Sequence, residues 1–546
     1  MLVVLTLAWG TPTSAATLFW SGNGSTQGGT GTWDTSSAHF GTSGTGPFTT
    51  TWNNTTNAAD TVTFGGSAGT VTLGANITVS VINLNNNTTL TGASSISRSS
   101  NALQVNVGGS SRATGASINA PIAGNGLTVA GTGGPLLLGA VNTFSGTVTI
   151  GNTAVPATYT AVRLNDAGAI PGGIAASGGS ANINLNGGVI GLTASSGDFL
   201  RGTGTGNSQV QWTGGGGFAA YGGGRTVTLS GGNKQWNSAS FVPAGSSLVL
   251  GATNANSAIT FTNNINFAGS TRSILVEDGS SAVDAIISGQ LGFSGGANGG
   301  LSKSGGGVLA LTGSNLYTGT TAVTAGMLQL GNGGVNGVLG ASSGIGASSG
   351  ATFAVNRSNA TSQGTDFPTI SGAGGFSQLG SGTTTLNAIN SYTGPTAVEA
   401  GGLIIDGTVG AGAVSVAGGA TLGGVGLVGG NVSFASGSKF IFNAAGPLAV
   451  AGTVSFVDPA AFGVDDIIGL SNLTAPGTYS LISGNVLTAG LANLGVANSY
   501  DLGSGVSAYF EQGSLNLVVV PEPGTAIAGL AGFIACVVTR RRRKRS

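Results

Sequence analysis

Two groups of carboxylates stand close enough along the chain to raise acid–base chemistry: Glu277, Asp278 and Asp284, and Asp458, Asp465 and Asp466. A pair of acids suffices to cleave a glycosidic bond, one as acid and the other as base or nucleophile. Neighbouring residues of a strand point to opposite faces, so spacing alone brings neither group together, and solvated turn acids are the simpler reading. The same oxygens suit calcium, but no Gly-Gly-x-Gly-x-Asp repeat accompanies them. Other chemistries lack parts. The chain has one histidine, His39, and one cysteine, Cys536, too few for a zinc site; His39 is the one base available to a nucleophile, and a structural or surface histidine is the plainer reading. Glycine runs such as 214–217 are not followed by the Lys-Ser/Thr of a phosphate loop. No catalytic residue, metal ligand or cofactor is assigned. Trp20, Trp33, Trp52, Trp212 and Trp236 would stack on sugar rings if they lined an outer face; core or cap positions are the plainer expectation.

The elements that must carry these residues are strands. Thr61-Val62-Thr63-Phe64, Thr70-Val71-Thr72-Leu73, Ile77-Thr78-Val79-Ser80-Val81, Thr226-Val227-Thr228-Leu229, Ser247-Leu248-Val249-Leu250 and Val308-Leu309-Ala310-Leu311 alternate apolar with small residues, as half-buried strands do. Gly, Asn and Ser punctuate them, and no body segment holds a 3.6-residue period, so the chain reads as all-β. Residues 301–330 return at 376–405: Asn315-Leu-Tyr317-Thr318-Gly319 becomes Asn390-Ser-Tyr392-Thr393-Gly394, and a worn copy at 126–150 keeps Asn142, Phe144 and Gly146. Such repeats bury their apolar faces only against neighbouring coils, the logic of a solenoid, with Asn, Ser and Thr ladders expected at the turns. The expected fold is a right-handed parallel β-helix over 17–440, closed by a β cap module at 441–519.

Composition narrows the partners. Charged residues make up 6% of the chain, against about 25% in ordinary soluble proteins. The formal balance is zero, yet six of the 16 basic residues form the run Arg540, Arg541, Arg542, Arg543, Lys544, Arg545. Without that run and Glu522 the chain holds 10 basic and 15 acidic residues, a formal −5. An acidic body argues against nucleic acid as a partner.

Both ends read as addresses. Residues 2–8 are an apolar run and Ser14-Ala15-Ala16 offers small residues to a signal peptidase, placing the cut after Ala16 and making 1–16 a secretory signal. No basic residue precedes the run, as if the true start lay upstream. At the other end Pro521 and Pro523 fix φ and lack amide donors, so regular structure is expected to stop there. Residues 524–539 are an uncharged span of about 24 Å as a helix, a short transmembrane segment, and the basic run after it is expected to stay cytoplasmic.

Val520-Pro521-Glu522-Pro523-Gly524, the apolar span and the terminal arginines, in that order, resemble the PEP-CTERM sorting signal of Gram-negative bacteria. The resemblance implies recognition of Pro521, Glu522 and Pro523 by a membrane enzyme of the exosortase type, removal or exchange of the tail, and an association with exopolysaccharide. Residues 301–330 and 376–405 resemble the autotransporter-associated β-strand repeat, with Gln378 in place of the repeat's Lys and no Gly after Leu386. Phe19-Trp20, Gly29-Thr30-Gly31-Thr32-Trp33-Asp34, Thr51-Trp52 and Asp60-Thr61-Val62-Thr63-Phe64-Gly65 resemble the opening of secreted proteins that carry such repeats, and their aromatics are expected to cap the first coil. The resemblances imply a non-enzymatic, adhesin-like or matrix protein, exported and anchored through its C-terminus before processing. The competing readings are a β-helical carbohydrate-active enzyme using the carboxylates above, or a polysaccharide-binding module.

Overall fold

Alternation over three to five residues, broken by glycine, produces short strands that pair with the same segment of the next coil instead of turning back as hairpins. The computed structural model describes residues 15–109, 115–152, 160–175, 179–293, 299–340, 342–456, 462–503 and 505–522. The expected signal segment through residue 14, Asp458, Pro523, the span 524–539 and the basic run lie outside the described residues. No described helix is long and apolar enough to cross a membrane. The chain forms two units: residues up to 289 without 269–271 but with 305–308, and 269–271, 290–304 and 309 onward.

In the first unit each coil contributes a strand to each of two parallel sheets. One runs Thr17–Trp20, Thr61–Phe64, Val81–Leu84, Leu103–Val107, Leu127–Gly131, Val148–Ile150, Ile183–Leu185 and Gln209–Trp212. The other begins Gly31–Trp33, Thr70–Leu73, Thr89–Thr91, Ala116–Asn119, Leu136–Leu138 and Thr160–Leu164. In-register parallel pairing stacks like positions. Val62, Ile82, Val105, Val129, Ile150, Leu185 and Trp212 therefore form one buried column, each aliphatic member stabilising the fold by about 1.5–3 kcal/mol through burial. Ladders form by the same logic on the outer faces: Asn83 donates to Thr63 Oγ1 at 3.2 Å and Asn106 donates to Asn83 Oδ1 at 2.9 Å. The sequence placed such ladders at turns; here they run along strands, because register repeats there.

The first strand is not left with a bare edge. Ala38–Gly41 pairs antiparallel with Thr17–Trp20 on the side away from Thr61–Phe64, and Thr50–Thr51 adds to it. Covering an end strand in this way blocks edge-to-edge association. Beneath it Trp20, Trp33, Phe40, Trp52 and Phe64 are fully buried, with Trp33 and Trp52 edge-to-face at 5.3 Å. The expected aromatic cap is thus formed, with an antiparallel strand the sequence had not revealed.

The second unit repeats the plan. Met327–Leu330, Thr352–Val355, Gly375–Gln378, Thr396–Val398, Val414–Val416 and Val432–Phe434 pair in parallel, and parallel pairing continues past residue 440 through Leu448–Phe456 to Gly477–Val486. Beyond it Tyr500–Gly503, Val506–Phe510 and Leu515–Pro521 pair antiparallel, the last also with Gly477–Val486. Regular structure was expected to stop at Pro521, and the strand Leu515–Pro521 ends on it, with Pro521 opposite Val506, a terminal position where the missing amide costs the ladder little.

Candidate functional sites and the repeat corner

The repeat motif builds one structural device, seen three times. Asn142, Asn315 and Asn390 are buried at a coil corner. In each, Oδ1 accepts a backbone N–H from the preceding coil, that of Ile122 at 2.8 Å, Leu291 at 3.0 Å or Ile370 at 2.9 Å. In each, Nδ2 donates to a carbonyl of the following coil, that of Ala169 at 2.7 Å, Val338 at 3.0 Å or Thr408 at 3.2 Å. One side chain thus ties three successive coils. Asparagine fits because its amide carries a donor and an acceptor on one short stem.

Two residues on, Tyr317 and Tyr392 are buried and their hydroxyls meet Thr321 Oγ1 at 2.8 Å and Thr396 Oγ1 at 2.6 Å. Burial raises both phenols well above the ordinary tyrosine range, with the threonine hydrogen bond pulling weakly the other way. The worn copy has Phe144 and Val148 at the same places, both buried, so both polar partners are exchanged together. Tyr392→Phe or Thr396→Val alone is expected to cost about 1–3 kcal/mol, by orphaning one buried hydroxyl. The double variant should recover most of that loss, and a double-mutant cycle in urea measures the coupling.

The repeat's buried cation position shows the same compensation. Lys303 is fully buried and donates to the Ala325 carbonyl at 2.8 Å. Its counterpart Gln378 donates to the Gly380 and Gly382 carbonyls at 2.8 and 3.0 Å, while its Oε1 accepts from Thr384, which stands where the first copy has Leu309. Both residues serve turn carbonyls. Other body cations do likewise: Arg201 donates to the Ala181 carbonyl at 2.7 Å and to that of Gly173, Lys234 to Ser230 at 2.7 Å, and Arg272 to Phe267 at 2.7 Å. Burial lowers the Arg201 guanidinium to about 10, which leaves it charged near neutrality. Sequence reasoning missed these residues, because hydropathy assigns Lys and Arg to the surface. With them inside, Asp198, Asp278, Glu399, Asp406, Asp465, Asp501 and Glu511 remain on the exposed side.

A column of glycines was missed as well. A Cβ on Gly452 would lie 2.7 Å from the backbone of Gly430, and the same clash links Gly430 to Gly412, Gly412 to Gly394 and Gly394 to Gly374. Coils touch backbone to backbone along this corner, and a side chain has no room. The spacings along the chain vary with coil length, so only the stacked register exposes the pattern.

The described members of the two carboxylate groups occupy different surroundings. Both carboxylate oxygens of buried Asp284 accept backbone N–H groups, from Gly279 and Val308, each at 2.8 Å, which makes it a turn clamp. Glu277 is half-buried and Asp278 exposed. Asp466 accepts from Gly463 N–H at 3.0 Å at the start of a 3-10 turn and Asp465 faces solvent. No group of three metal-ligating side chains occurs among the described residues. The Nδ1–H of His39 donates to the Ser21 carbonyl at 2.8 Å beside the Trp20 ring. Trp20, Trp33, Trp52, Trp212 and Trp236 are all buried, so none offers a face to a sugar.

At the chain ends, Ala16 donates its amide to Asp60 Oδ1 at 2.8 Å. Glu522 donates its amide to the Gly505 carbonyl at 2.9 Å. A hydrogen bond and the charge of Asp501 raise the Glu522 carboxyl above its ordinary range. The front of the proposed sorting motif therefore starts flush with the last antiparallel strand.

Comparison with family models falls on the repeats. The family model described as passenger-associated-transport-repeat matches residues 301–330 and 376–405, the two stretches marked by the sequence. Over 255 residues, 45% of this chain, the sequence is 32% identical to a protein of Brucella suis biovar 1 (strain 1330) named adhesin BmaC autotransporter. The chain spans 7% of that relative's length. No solved structure matches.

Proposed function

We propose that this chain is an exported, adhesin-like structural protein of the cell surface or extracellular matrix, sorted through its C-terminus by an exosortase-type membrane enzyme and associated with exopolysaccharide. The observation that carries the reading is the repeated corner, in which Asn, Tyr and Gly serve the stacking of coils. Likeness to a protein named an adhesin supports display over catalysis. Buried cations leave a surface dominated by carboxylates and small hydroxyl residues, a surface that resists collapse onto itself and stays hydrated.

The membrane takes part only through residues 524–545 in this reading. The span holds the chain until Pro521-Glu522-Pro523 is recognised, and the basic run Arg540, Arg541, Arg542, Arg543, Lys544 and Arg545 stays on the cytoplasmic side. Replacing Pro521, Glu522 and Pro523 by alanine is expected to leave full-length precursor in membrane fractions of a cell that makes the sorting enzyme. Normal processing of that variant rejects the sorting assignment. The scaffold reading is tested by offering the purified exported protein a panel of neutral and acidic polysaccharides. Retention without turnover is expected; bond cleavage abolished by Glu277→Gln or Asp278→Asn would replace the scaffold with an enzyme.

A further inference from the structure

Asp60 is 6% exposed, yet among the described residues it has no ion pair. Its Oδ1 accepts the amide of Ala16 at 2.8 Å and its Oδ2 accepts the side-chain amide of Asn57 at 2.8 Å. A carboxylate with so little exposure is held best by positive charge. Beside it lies a cavity of about 530 Å³ lined by Ala16, Thr55, Thr56, Asp60, Arg98 and Ser99 among others.

We propose that the mature chain begins at Ala16 and that its free α-ammonium is the counter-ion of Asp60. The inference rests on the export reading above and moves the signal cut one bond upstream. The sequence permits either bond: Thr13 and Ala15, like Ser14 and Ala16, are small residues, and a signal peptidase reads small residues just before its cut. The fold separates them. Ala16 donates its amide to Asp60, and its carbonyl accepts the Thr61 amide at 2.9 Å. Cutting after Ala16 removes both groups and leaves a buried carboxylate and a strand amide short of partners.

Cutting before Ala16 keeps both contacts. Water adds across the Ala15–Ala16 peptide bond, the departing leader takes the new carboxylate, and the Ala16 nitrogen takes up a proton. An α-amino group titrates near 7.7–8.0 when free, and the Asp60 carboxylate favours its charged form. The hydrogen bond at 2.8 Å becomes charge-assisted without movement. The cavity admits water to the remaining ammonium hydrogens, and Arg98 is the other charged residue on its wall.

N-terminal sequencing of the protein exported through its own leader tests this. Ala-Thr-Leu-Phe is the expected start. Thr-Leu-Phe-Trp overturns this inference and leaves export standing, whereas a chain still beginning at Met1 overturns both. The ion pair has its own readout. Asp60→Asn and, separately, acetylation of the mature amine should each lower the melting temperature by about 2 °C or more. Acetylation should have no further effect on the Asp60→Asn protein. Equal sensitivity to acetylation in the two proteins overturns the pairing.

Discussion

Gly319→Ala is expected to destabilise the second unit by about 3 kcal/mol, near the upper end of what overpacking costs, and to loosen the coil that carries the first strong repeat. A Cβ there would sit 2.7 Å from both the carbonyl carbon and the carbonyl oxygen of Gly299. These are backbone atoms of the neighbouring coil and cannot swing aside as a side-chain tip can. Relief requires the two coils to separate, and the Gly319 amide already donates to the Gly299 carbonyl at 3.0 Å across that gap. Gly319 is not among the residues of positive φ, so the loss would come from contact and not from a forbidden backbone angle. Gly346→Ala is the matched control: it lies in the strand Ile345–Ala347, its nearest neighbour to a new Cβ is Ser371 Oγ at 4.0 Å, and its φ is ordinary. That change should be neutral or stabilise by about 0.4–1 kcal/mol through the unfolded chain. Urea titration of both variants followed by amide exchange of the flanking strands measures the contrast. Equal stabilities would mean that the coils yield easily and that glycine is present there for other reasons.

The contrast also marks what the sequence can and cannot disclose. Alternating strands were legible because side-chain direction is local: Val62, Val71 and Leu248 announce their burial through their immediate neighbours. The repeat marks Asn, Tyr and Gly were legible as marks, and the family match falls on the same residues. Their purpose was not legible, because the Asn142 partner Ala169 lies 27 residues away, a distance set by the length of a coil that no local pattern reveals. The buried cations mislead for a related reason. Lys303 and Arg201 are inside because turn carbonyls must be satisfied, a need that appears only when turns of neighbouring coils are brought together. Gln378 with Thr384 is the instructive case: what reads as departure from the repeat is a neutral side chain that also spends its donors on turn carbonyls, with Thr384 supplying a donor to its remaining oxygen. The antiparallel strand Ala38–Gly41 was hidden too, since its sequence carries one histidine and one aromatic and no alternation long enough to read.

Asn390→Asp should be destabilising by several kcal/mol at neutral pH and should regain stability as the solution is acidified. Asn390 is 1% exposed, and its amide nitrogen donates to the carbonyls of Ala388 at 3.1 Å and Thr408 at 3.2 Å. An ionised carboxylate would keep the acceptor used by the Ile370 amide at 2.9 Å and by Gln363 at 2.6 Å, but would turn its second oxygen onto two carbonyl oxygens. Burial and that repulsion both disfavour the charge, so the folded pKa of the new acid lies above the unfolded value of about 3.9. The sign follows from proton binding: the folded state binds the proton more tightly, so the penalty is absent below the unfolded pKa and grows as pH rises through the folded one. The protonated acid can donate to one of the two carbonyls, which returns part of the lost bonding. Asn390→Ala separates charge from shape. It leaves the Ile370 amide and one Gln363 amide hydrogen short of a partner and should cost about 2–4 kcal/mol at every pH. A pH-independent loss in both variants would show that the corner tolerates a buried charge and that Asn390 only fills space. A loss confined to high pH in Asn390→Asp, beside a constant loss in Asn390→Ala, would establish that the donor pointing to the next coil is what ties one repeat to another.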